Sequence, residues 1–110
     1  MAPPDISAQL AALNRDYAAR LPERVAALRA SATALNMRWD DAAALELRRL
    51  LHNLAGSGAS YGLPAVSGHA RSAEHALVAL IEAQVSRSSA SFRPLFDALD
   101  GLRAAATPAP

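Results

Sequence analysis

Large apolar residues recur three and four positions apart through almost the whole chain, a spacing that points to α-helices with one buried face. Leu21, Val25, Leu28 and Leu35 keep this period, as do Leu47, Leu50, Leu51 and Leu54, and then Val66, Ala70, Ala73, Leu77 and Leu80. Phe92, Leu95, Phe96, Leu99 and Leu102 carry it to the last helix, where Pro94 fits only in the first turn. Ahead of these, Ile6, Leu10, Leu13 and Tyr17 mark a first helix with Asp5 as its cap. Pro22 interrupts the pattern and predicts a break or kink near Arg20. A third helix, capped by Asp40 or Asp41, runs about 21 residues and about 31 Å to Tyr61, with Gly62 as its terminator. Pro64 opens a fourth helix that extends to Gln84, and Ser86 to Ser89 form a polar turn. The expected fold is all-α: one domain over residues 5–106, flanked by short tails at 1–4 and 107–110. Four long helices with short connections predict an antiparallel up-and-down four-helix bundle, with the additional N-terminal helix capping one end or extending the second helix.

Composition narrows the function. Roughly a quarter of the residues are alanine and only 5% are aromatic, which favours helices packed closely through small side chains. There is no cysteine, so neither disulfides nor a thiolate site are available. A formal net charge of +1, with the basic residues spread out, argues against a nucleic-acid partner. No apolar stretch has the length of a membrane span, and the Met1-Ala2-Pro3-Pro4 start has neither part of a signal peptide. The chain is therefore expected to be cytoplasmic, and the lack of a second long apolar face predicts a monomer.

The chemistry lies in His52-Asn53-Leu54-Ala55-Gly56-Ser57-Gly58-Ala59-Ser60-Tyr61-Gly62. At 100° per residue, Leu47, Leu50, Leu51, Leu54 and Tyr61 share one stripe, and His52 points away from it, towards solvent or a partner. Its neighbours at helical spacing are Leu45, Arg48, Arg49, Ala55, Gly56 and Ala59, so nothing bulky stands on its C-terminal side. Two glycines inside a helix cost roughly 1 kcal/mol each and need a reason. Gly58 lies on the leucine stripe, where it admits a neighbouring helix, whereas Gly56 lies one turn past His52 and clears an approach to the imidazole. Leu45, Ala55, Gly56 and Ala59 are the expected partner-binding residues.

This run resembles the signature of histidine-containing phosphotransfer domains, His-x-Leu-Lys-Gly-Ser or Ala followed by an aromatic or aliphatic residue and Gly. His52, Leu54, Gly56, Ser57, Tyr61 and Gly62 match, Ala55 replaces the usual lysine, and the likeness in helix order covers roughly Leu13 to Leu102. Family members often carry Gln or Glu twenty-two positions after the histidine, and Glu74 stands there. In a helical hairpin turning at Gly62-Leu63, equal rise brings His52 and Glu74 level. A carboxylate accepting the Nδ1 proton fixes the tautomer and leaves the Nε2 lone pair for attack on phosphorus. The resemblance thus implies His52 as phosphoacceptor, Glu74 as its orienting partner, and receiver domains of a hybrid sensor kinase and a response regulator as partners, with Mg²⁺ on the receiver. It implies a phosphocarrier rather than an enzyme, and no phosphate loop or acidic metal cluster predicts a cofactor on this chain. With lysine missing at Ala55, Arg48, Arg49 and Arg71 are the candidates to neutralise phosphoryl charge, Arg48 first. His69 and His75 have no zinc-site spacing and are expected at the surface or at its boundary with the core. Trp39 and Met37 are expected to plug the bundle end. The alternative is a phosphorylation-incompetent module that blocks a receiver. A sensor-kinase dimerisation domain is disfavoured, because the acidic residue and the proline usual just after that histidine are absent.

Overall fold

The computed structural model describes residues 6–83 and 87–107, and all regular structure within them is helical. The helices are α1 (Ile6–Met37), α2 (Asp41–Ser60), α3 (Pro64–Ile81) and α4 (Arg93–Ala106), with a 3₁₀ turn at Ser89–Phe92 ahead of α4. Each helix packs on its two neighbours in a closed square, α1 on α2, α2 on α3, α3 on α4 and α4 back on α1. The tail expected at 1–4, residues 108–110 of the tail expected at 107–110, the Asp5 cap, Gln84 and Ser86 lie outside the described residues.

A break near Arg20 is corrected: among the described residues one helix of 32 residues runs through Pro22, so the N-terminal segment extends the second helix, one of the two expected arrangements, and does not form a separate cap. Proline removes one amide donor and crowds the carbonyl one turn back. Pro22 is exposed, so water can satisfy the freed carbonyl on the solvent side of the helix. As a result α1 overshoots its neighbours, and the molecule measures 65 × 27 × 18 Å. Its radius of gyration of 16.2 Å exceeds the roughly 13 Å of a compact domain this size.

The boundaries that position the site follow local chemistry. The Asp40 carboxylate accepts from the Ala43 amide at 2.9 Å and caps α2. Gly62 adopts φ +73°, the left-handed conformation that ends α2, and Pro64 starts α3 two residues later. Pro94 sits in the first turn of α4, behind a capping box of Ser88 and Ser91. At the bundle end near the α1–α2 connection, Trp39 meets Phe92 edge to face. The Arg87 guanidinium lies 3.7 Å above the Trp39 ring and donates to the Leu80 carbonyl at 2.7 Å. Met37 is 84% exposed and takes no part in this plug, contrary to expectation.

The core is formed by the anticipated leucines of α2, α3 and α4, except that Leu50 is only partly buried against it, with Leu21, Val25, Leu28 and Leu35 from α1. The backbones of α2 and α3 come close together where a Cβ on Gly58 would lie 3.1 Å from the Ser67 amide nitrogen and 3.3 Å from Val66 Cγ1. Buried Ser67 donates its hydroxyl to the Ala55 carbonyl at 2.7 Å across the same seam. Gly56, by contrast, has nothing within 4 Å of that position. Gly56→Ala is therefore expected to gain up to about 1 kcal/mol of helix propensity, whereas Gly58→Val should lose about 1–3 kcal/mol to overpacking. Thermal unfolding of the two variants checks this: the midpoints should move in opposite directions, by several degrees each.

Candidate functional site

His52 stands near the middle of α2 with its side chain 73% exposed. Glu74, on α3, is only 15% exposed, and its two carboxylate oxygens lie 3.3 and 3.2 Å from His52 Nδ1. The pairing follows from the tight α2–α3 turn, which sets the two helices antiparallel with these residues level. A carboxylate against Nδ1 is an acceptor, so the geometry selects the tautomer with hydrogen on Nδ1 and leaves Nε2 with its lone pair. Among the described residues no hydrogen bond reaches Nε2.

The three arginines differ in what holds them. Arg48 Nε lies 3.9 Å from Glu74 Oε2, so one carboxylate faces both a guanidinium and the imidazole. Arg49 is forked onto Glu46 one turn back, with contacts of 2.9 and 2.5 Å. These hydrogen bonds lower the Glu46 carboxyl below its ordinary range and raise Arg49 above its own. Arg71 has no carboxylate within ion-pair distance among the described residues, and it faces the same groove as His52.

That groove, about 650 Å³, runs between α2 and α3 with Gly56 and Ala55 on one wall and Arg71, Glu74 and His75 on the other. A second recess of about 310 Å³ on the near side of His52 is lined by Leu45, which is 55% exposed. Ala59 is exposed beyond Gly56 on α2. Ala55 corrects the sequence expectation: it is 4% exposed, because the position three residues after His52 turns towards α3 and forms the groove floor. Its methyl group offers a partner little to touch. His69 is half-buried against Gly101 on the α4 side of α3, where a Cβ at Gly101 would come 2.5 Å from the imidazole. His75 is exposed at the groove rim.

Sequence reasoning missed Val78, Ala79 and Glu82, which extend the groove along α3. Their spacing from His75 marks them as one face of α3, but only the position of α2 makes that face a wall. It also missed the support beneath Ser57, whose hydroxyl lies 2.6 Å from the Tyr17 hydroxyl while the Tyr17 and Tyr61 rings stack at 4.2 Å. No single-helix periodicity carries that long-range contact.

Removing the carboxylate should release the tautomer. In Glu74→Ala, nitrogen-detected NMR of His52 is expected to show a mixture dominated by hydrogen on Nε2, as in free imidazole side chains, in place of Nδ1–H. An unchanged tautomer would mean that the Glu74 contact does not direct the ring.

The family model described as Hpt domain matches residues 12–105, most of the chain. No curated protein and no solved structure matches it.

Proposed function

The chain belongs to the Hpt domain family, which makes it a phosphotransfer module of two-component signalling, and on that premise we propose that His52 relays a phosphoryl group between receiver-domain aspartates. The observation that supports this most directly is the exposed imidazole held by Glu74 through Nδ1 with Nε2 turned outward. In the forward step the Nε2 lone pair attacks the phosphorus of a receiver's acyl phosphate, the P–O bond breaks, and the aspartate leaves as carboxylate. The ring then carries a positive charge with hydrogen still on Nδ1, and the Glu74 carboxylate lies against that charge. The same atoms in reverse deliver the group to a second aspartate. The module works as a carrier, with Mg²⁺ belonging to the receiver, and this reading carries a cytoplasmic location with it.

Charge on the phosphoryl oxygens falls to whichever cation is free to turn. Arg49 is occupied by Glu46, while Arg71 has no carboxylate partner among the described residues and Arg48 is only loosely engaged at 3.9 Å. Arg71 therefore joins Arg48 ahead of Arg49 in the proposed role. Gly56 and Leu45 would contact the receiver on either side of the imidazole.

Incubation with a phosphorylated receiver tests the proposal. His52→Gln is expected to lose all acid-labile label while keeping its helical signal. Arg48→Ala and Arg71→Ala should each slow transfer or shorten the phosphohistidine lifetime by up to about fivefold, the scale of an exposed charge pair, and Arg49→Ala should leave both unchanged. A wild-type chain that binds the receiver without taking label would mean a blocking module instead.

A further inference from the structure

The apolar stripe of α1 continues past the end of the bundle it serves. Ile6, Leu10, Leu13 and Tyr17 are spaced four, three and four apart, the repeat of paired helices, and they lead directly into the buried Leu21, Val25 and Leu28. Every residue from 6 to 16 is nevertheless exposed, with Ile6 at 64%, Leu10 at 54% and Leu13 at 53%. The core-facing side of a long helix thus protrudes about 16 Å, and no element among the described residues is laid along it.

We infer that a second copy of the chain covers this stripe, the two overhangs pairing antiparallel about a two-fold axis. The stripe is self-complementary in that direction: Leu10 of one copy falls opposite Leu13 of the other, and Ile6 falls opposite Tyr17. At the place where Ile6 arrives there is a notch of about 230 Å³, lined by Leu13, Tyr17 and Tyr61 and by the charged Asp16, Arg20 and Arg24, that opens where the overhang leaves the bundle. Charge does not oppose this arrangement. Asp16 flanks the stripe on the same side as Gln9, which it meets across the axis, and Arg15 points to the opposite face of the helix, so no like charges are brought together. The paired surface is short, near or below the ~1,000 Å² expected of a stable dimer, so association is concentration-dependent and the monomer expected from the lack of a second long apolar face prevails on dilution. His52 lies nine residues from Tyr61 along α2, about 13 Å from the paired end, and stays accessible in the dimer. This inference does not rest on the phosphotransfer reading.

Sedimentation velocity on the full chain, from about 10 μM to about 1 mM, should show dimer increasing with concentration. Leu10→Asp combined with Leu13→Asp should stay monomeric throughout, with an unfolding midpoint close to wild type because both positions are exposed. The chain has no cysteine, so Leu10→Cys mixed with Leu13→Cys should cross-link under mild oxidation, and Ala12→Cys on the opposite face should not. A wild-type chain that is monomeric at every concentration overturns the inference, as does a dimer that survives the double aspartate substitution. If the wild type is monomeric and the double variant loses phosphoryl transfer from a receiver, the stripe belongs to that receiver and not to a second copy.

Discussion

The contact between α2 and α3 at Gly58 sets the geometry of the functional face. With no side chain at Gly58, the start of α3 comes within van der Waals distance of the α2 backbone, and the Ser67 hydroxyl then reaches the Ala55 carbonyl. Two helices fixed at one point, and joined by a three-residue turn, have their register determined along their whole length. Glu74 therefore meets His52 as a consequence of packing two turns away, and not through any contact made by His52 itself.

The rigidity of that arrangement suits the chemistry assigned to it. His52 and Glu74 both project from helix interiors, where backbone freedom is small, and Glu74 is largely shielded while the imidazole is not. A carrier that must meet two different receivers gains from a nucleophile whose orientation does not depend on the partner. The groove on either side of His52 mixes apolar and cationic walls, which suits a protein surface that approaches with a phosphoryl group at its centre.

Much of this was legible in the sequence, and the failures have a common cause. Gly62 and Pro64 announced the turn, the leucine stripe announced the buried face of α2, and equal helical rise placed Glu74 opposite His52. Ala55 was misplaced because a helical wheel gives direction relative to its own helix and says nothing of where α3 lies. Pro22 left a break and a continuous helix both open, because proline's cost in a helix depends on whether water reaches the freed carbonyl, a property of the folded surface. Arg49 was available to Glu46 in the sequence at i,i+3, yet the choice between partners is made by side-chain geometry. Ser67 and Arg87 bond to backbone carbonyls, and such contacts leave no periodic trace.

The placement of Arg87 has a spectroscopic consequence. Its guanidinium covers the face of Trp39, the only tryptophan in the chain, while also holding the last carbonyls of α3. The indole sits just before α2, roughly 20 Å along the helix axis from His52, on the far side of several buried layers. Its emission therefore reports whether the end of the bundle is closed and is insulated from the charge state of the imidazole. Unfolding and phosphoryl transfer can be followed in one sample, the first by intrinsic fluorescence and the second by label, without either signal contaminating the other.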